Sequence, residues 1–182
     1  MTPEHLTNFD SFGWVRRYFP HLDQAQQIDA ILSFSLIWNL FEARICDKFA
    51  SVPTIRNKVD RANNSGALRR DDYEQYLNYF RNRYGPEGAG SLEALAPTGP
   101  EQRRRVREAN APVRAVIEGV FQDPNPHTAD MVNALLLIAY RVRNNFFHGS
   151  KNLQDLPHQV ELFRVVNSLL STFIDAVNPP PR

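Results

Sequence analysis

The reading of this chain turns on residues 129–151, Ala-Asp-Met-Val-Asn-Ala-Leu-Leu-Leu-Ile-Ala-Tyr-Arg-Val-Arg-Asn-Asn-Phe-Phe-His-Gly-Ser-Lys. From Met131 to Tyr140 nearly every side chain is apolar, which predicts a helix covered on most of its circumference. Thr128 is expected to cap its start, and Asp130 lies in the first turn, where a negative charge suits the helix dipole. Arg141, Arg143, Asn144, Asn145 and His148 then arrive within two turns. Gly149 follows, suited to the left-handed position just past a helix end. Such an ending reads in two ways. Basic residues and a histidine in the last turn satisfy terminal carbonyls and complement the dipole. Alternatively, Asn144 and His148, four apart, share a helix face, with Arg143 one position round and Phe147 below it. A guanidinium can hold phosphate oxygens in a fork, and an imidazole can move a proton near neutral pH.

Arg143-Asn144-Asn145-Phe146-Phe147-His148 resembles the Arg-x4-6-His motif of HEPN domains, with a polar residue directly after the arginine. The ending Arg-Asn-x-x-Phe-His-Gly looks especially like the Apea-like branch of that superfamily. The resemblance is specific over about residues 128–176 and architectural elsewhere. Arg16-Arg17-Tyr18-Phe19-Pro20-His21 has the same spacing, but Pro20 would end a helix before its histidine, and no polar residue follows Arg16. It is set aside.

The resemblance implies a metal-independent endoribonuclease needing no cofactor. His148 would be its general acid or base, Arg143 its phosphate ligand, and Asn144 would hold either the imidazole or the phosphate. RNA carries its own nucleophile, the 2′-OH, so proton transfer and charge stabilisation suffice. Many such nucleases face two motifs across a dimer cleft, so a two-fold homodimer is expected. A toxin or phage-defence role, with an antitoxin or other regulatory protein as partner, is also implied. Two other readings stand beside it. One is a non-catalytic HEPN-type module binding RNA, a nucleotide or a protein; the other is a structural bundle whose motif is a helix cap.

Composition sets bounds. With 182 residues, 42% hydrophobic and 23% charged, the chain suits one globular domain over 1–182. The net charge of +1 advertises no general attraction for nucleic acid, so any RNA contact must be local. The single Cys46 excludes an internal disulfide and suits a reducing cytoplasm. No Cys/His set has metal-ligand spacing. The start lacks the features of a signal peptide, and the apolar run 134–140 is too short to span a bilayer, so a soluble, cytoplasmic protein is expected.

Periodicity fills in the rest. Residues 1–22 read as an aromatic arm with a short helix packed on the bundle. A long helix over 23–50, capped by Asp23, carries the stripe Ile28, Ile31, Leu32, Ser35, Trp38, Glu42, Ile45, Cys46 and Phe49. Phe34, Leu36, Ile37, Leu40 and Phe41 fill most of its remaining circumference, which predicts a central helix. Glu42, with Asn39 one turn before it, is the anomaly. A carboxylate on an apolar stripe needs a partner. That partner is either Arg44 or another edge arginine in a structural ion pair, or the motif itself, with Glu42 orienting Arg143 or His148.

Helices follow from Pro53 to about 63, and from an Asp71 or Asp72 cap to about 84, with a turn at 64–66. Tyr73, Tyr76, Tyr79 and Tyr84 read as core edge or dimer contact, or as stacking platforms for bases. Residues 85–112, rich in Gly and Pro, read as an extended loop insertion; its Arg103–Arg105 run is a solvated face or a phosphate grip. A short helix covers 111–121. After Gly149, Asp155 is expected to cap a closing helix with Pro157 in its first turn, its stripe running from Val160 to Val177, antiparallel to 129–148. The expected class is therefore all-α: an antiparallel, HEPN-like bundle of five or six helices with a Pro/Gly-rich insertion.

Overall fold

The computed structural model describes residues 10–18, 25–86, 88, 90–147 and 159–179. These residues are helical and contain no strand, in eight helices: α1 (Ser11–Tyr18), α2 (Ala25–Arg44), α3 (Val52–Asn64), α4 (Asp71–Tyr84), α5 (Leu92–Leu95), α6 (Arg104–Gln122), α7 (Thr128–Phe147) and α8 (Val160–Val177). The all-α expectation holds, and the count exceeds it through the arm helix α1 and the single turn of α5. No helix among the described residues is long and apolar enough to cross a membrane.

The middle of the bundle is α7. Every residue from Met131 to Ala139 is buried, including Asn133. A helix apolar all round must be enclosed by others, and α3, α4, α5, α6 and α8 all pack against it. The apolar stripe of α8 lies chiefly on α2. Phe146 meets Phe163 at a ring-centroid distance of 5.2 Å, joining the end of α7 to the start of α8.

Around α2 the structure departs from the sequence reading. Phe34, Trp38, Phe41 and Ile45 are buried, whereas Leu32, Leu36 and Leu40 are 60%, 71% and 45% exposed. One side of α2 builds the core and the other carries a row of leucines into the open, so the helix is not central. It also ends at Arg44 rather than near 50. The N–H groups of Ile45 and Cys46 both bond the Phe41 carbonyl, and the N–H of Lys48 bonds that of Glu42. Asp47 and Lys48 then take φ of 53° and 88°, left-handed backbone that terminates a helix even without glycine.

The turn at 64–66 falls as read, and α3 starts one residue ahead of the expected Pro53. Ser51 Oγ accepts the N–H of Thr54 at 3.2 Å and caps α3, and Gly66 turns the chain after it with φ 73°. Other start signals move. α4 is preceded by Arg70 with no side-chain cap, while Asp71, Asp72 and Glu74 occupy its first turn. α7 begins at Thr128 itself. The caps expected at Asp23 and Asp155, and Pro157, lie outside the described residues.

The insertion is shorter and better fastened than a surface loop. α6 starts at Arg104 and continues through Pro112, an exposed position where the missing N–H leaves one carbonyl for solvent. Leu92, Leu95 and Ala96 are buried. Glu93 gathers the strap together: its carboxylate accepts the N–H groups of Thr98 and Gly99 at 2.6 and 2.7 Å and pairs with Arg114. The Gly99 N–H, with those partners, holds the Glu93 carboxyl below its ordinary value.

Two expectations test this architecture. Phe34→Ala should cost about 3–5 kcal/mol in urea unfolding, whereas Leu36→Ala should stay within about 0.5 kcal/mol; equal losses would refute the sidedness of α2. Because the Glu93 carboxyl is depressed in the folded state, its support is present above the carboxylate range and fades as pH falls through it. Glu93→Gln should therefore be less stable than wild type at neutral pH, with the two unfolding curves converging in acid.

Candidate functional site

Two turns at the end of α7 divide their polar residues between inside and outside. Arg141 and Asn145, one turn apart, face the strap. Asn145 is buried, its Nδ2 donates to the Leu95 carbonyl at 2.9 Å, and its Oδ1 accepts from Arg141. Arg141 Nε donates to the same carbonyl at 3.3 Å. Burial pushes the Arg141 guanidinium pKa down from its ordinary value. This half of the polar cluster fastens α5 to α7, its acceptor being a carbonyl of α5 and not one of the terminal carbonyls of α7.

Arg143 points elsewhere. Its guanidinium lies 5.9 Å from the centroid of the Trp38 indole and 5.3 Å from that of the Phe147 ring, stacked against two aromatic groups. Cation–π contact of this kind is worth roughly 0.5–2 kcal/mol and fixes a flexible side chain in one orientation. Arg143 Nη1 donates to Asn144 Oδ1 at 3.3 Å. No carboxylate pairs with Arg143 among the described residues. Its Nε and the Trp38 Nε1 are buried without hydrogen-bond partners among those residues, and orphaned donors of this kind cost about 1–3 kcal/mol each. Phe147 is half exposed and forms the outer lip.

The candidate residues divide accordingly. Arg143 and Asn144 are brought together, and both are partly exposed. His148, which follows directly after α7, lies outside the described residues. Glu42 is half-buried one turn beyond Trp38 on α2; its Oε1 accepts the N–H of Ala50 at 3.2 Å, tying down the turn after α2. No ion pair to Arg44 or to Arg143 is found for it among the described residues. Asn39 is exposed, on the side of α2 away from the core. Trp38 is the site residue that sequence reasoning passes over: it sits on the apolar stripe, and nothing in the sequence joins it to Arg143.

The other candidates resolve toward structure. Tyr73, Tyr76 and Tyr84 are buried, and Tyr76 bonds Ser168 and Thr172 through its hydroxyl at 2.7 and 2.9 Å. Burial pushes the Tyr73, Tyr79 and Tyr84 phenols up. Arg104 is exposed and pairs with Glu108 one turn on, a solvated face. Burial lifts the Cys46 thiol from 9.0 to about 12, which leaves it a poor nucleophile. No cluster of His, Cys, Asp or Glu side chains able to hold a metal ion is found among the described residues.

No family model, curated protein or solved structure matches this chain.

The division of α7 predicts opposite costs for neighbouring asparagines. Asn145→Ala removes the shorter of the two bonds to the buried Leu95 carbonyl and the acceptor of one Arg141 donor, and should cost about 1–3 kcal/mol in chemical unfolding. Asn144→Ala, on the open side, should cost less than about 0.5 kcal/mol. Equal effects would show that the cluster is one structural cap.

Proposed function

We propose that the chain is a metal-independent endoribonuclease in which Arg143, Asn144 and His148 act on an RNA phosphodiester. The observation that supports this reading most is the state of Arg143: a guanidinium stacked between Trp38 and Phe147, without a carboxylate partner among the described residues, five residues before His148. A structural arginine is ordinarily satisfied by carboxylates or carbonyls, as Arg141 is by Leu95. Arg143 instead offers a rigid, unneutralised fork of donors, suited to two phosphate oxygens.

In the proposed reaction a base removes the 2′-OH proton, and the 2′ oxygen attacks phosphorus. The bond to the 5′ oxygen then breaks, and that oxygen takes up a proton. Arg143 stabilises the charge that builds on the non-bridging oxygens. His148 serves one of the two proton transfers, and the His148 of a second copy, related by a two-fold axis, serves the other. Asn144 keeps Arg143 or the imidazole in line, and Glu42, one turn beyond Trp38, supports the cluster from α2, whereas Asn39 faces away from it. The exposed leucine row lies on the side of α2 away from Trp38, because residues two apart diverge by about 200° on a helix. A dimer that joins two motifs therefore uses the end of α7 and not that row. The HEPN resemblance implies a toxin or phage-defence role for such an enzyme, with an antitoxin or regulatory protein as partner.

One observation favours a second reading, a HEPN-type module that binds RNA, a nucleotide or a protein without turnover. The leucine row on α2 is a surface that a protein partner would cover.

Purified protein incubated with single-stranded RNA in excess chelator should release fragments ending in a 2′,3′-cyclic phosphate. Arg143→Ala and His148→Ala should each slow cleavage by about 10²-fold or more with the fold retained by circular dichroism. Wild-type protein that leaves RNA intact while still binding it would select the second reading.

A further inference from the structure

Three helices end around one open groove, and its cations are not accounted for by the cluster at Arg143. The groove, about 450 Å³, is lined by Arg44 at the end of α2, Lys58 and Arg61 on the last turns of α3, and Asn178 just past α8, over an apolar floor that includes Ile45 and Val177. Its charges are unevenly satisfied. Lys58 pairs with Asp47 at 2.7 Å and, with a smaller contribution from Arg61, holds the Asp47 carboxyl below its ordinary value. Arg44 and Arg61 are exposed, and neither pairs with a carboxylate among the described residues. Three cations thus face one carboxylate, a local surplus in a chain whose net charge is only +1.

Helix C-termini attract cations, and that attraction explains why basic residues sit here. It does not require a shared groove, nor two guanidinium groups in it without a carboxylate among the described residues. The left-handed turn at Asp47 and Lys48 follows directly after α2, and Asp47 pairs there with Lys58 and with neither arginine. From this arrangement we infer that the groove binds the phosphate backbone of a single RNA strand, at a position separate from the Arg143 cluster. The choice of ligand rests on the ribonuclease reading; the choice of site does not. Arg44 is six residues beyond Trp38 on the same helix, about 9 Å along its axis. A strand engaged at Arg143 would reach the groove after passing around α2.

The test uses the full chain and a short fluorescein-labelled RNA with 2′-O-methyl sugars, which cannot supply the attacking hydroxyl and so is bound but not cut. Binding is followed by anisotropy across a salt series. On a single strand, removing one cation that neutralises a phosphate should flatten the dependence of log K on log salt by about 0.7. Arg44→Ala/Arg61→Ala should weaken binding and flatten the slope by about 1.4. Arg44→Lys/Arg61→Lys should restore most of the slope. Arg17→Ala/Arg164→Ala removes the same charge from exposed positions elsewhere and should leave the slope unchanged. If both alanine pairs change binding alike, or if the groove pair changes nothing, the groove holds dipole-complementing cations only and the inference is overturned. Cleavage of unmodified RNA is scored separately. A groove effect without cleavage would refute the nuclease and keep the groove; cleavage with an unchanged slope would do the reverse.

Discussion

The enclosure of α7 is the constraint from which the other features follow. A helix whose every residue from Met131 to Ala139 is buried has no face to give to solvent, and each neighbouring helix must present it with an apolar surface. Burial of this kind stabilises by roughly 25 cal/mol for each Å² of apolar surface removed from water. It also fixes α7 rigidly along its length, so the residues at its end emerge from the core at set angles. A functional group mounted there inherits that precision without needing its own scaffold.

The polar residues near the core show what this enclosure costs. Asn145 and Arg141 are satisfied by carbonyls of the strap, which is why a Gly- and Pro-rich segment folds back over the bundle instead of trailing from it. Trp38 Nε1 and Arg143 Nε find no partner among the described residues. Native structures rarely bury donors without partners, and where they do the position commonly has a task other than stability. These two belong to side chains in contact with each other, while others, on Tyr73, Arg81, Arg83, Asn133 and Asn167, are spread through the bundle.

Much of this is legible from periodicity. The stripe of α8, the all-apolar run of α7 and the start of α3 follow from spacing alone, because each is a long pattern repeated over several turns or a clear start signal. The outer face of α2 is not legible, since Leu32, Leu36 and Leu40 are as apolar as Phe34 and Phe41, and only packing distinguishes a leucine in the core from one left outside. The sequence reading foreshortens α6 because Pro112 reads as a breaker; on an exposed face its missing N–H is tolerated. It misplaces the end of α2 because no glycine marks it; Asp47 and Lys48 take the left-handed conformation instead. At the site, the association of Arg143 with Asn144 is legible. The tryptophan beneath Arg143 is not, because a contact between residues more than a hundred positions apart leaves no trace in either segment.

The same periodicity explains how one helix end can divide its polar residues between the core and the open side. Residues two apart on an α-helix diverge by about 200°, and residues four apart nearly coincide. Arg141 and Arg143 therefore face opposite sides although they share a residue type, and each has its partner one turn on. Arg141 is joined by Asn145 against the strap, and Arg143 by Phe147 at the lip. Interleaving the two pairs along one rod lets the inner pair lock the helix to its surroundings while the outer pair stays on the open side. A cluster that looks redundant in sequence, with two arginines and two asparagines in five residues, is in three dimensions two pairs placed back to back.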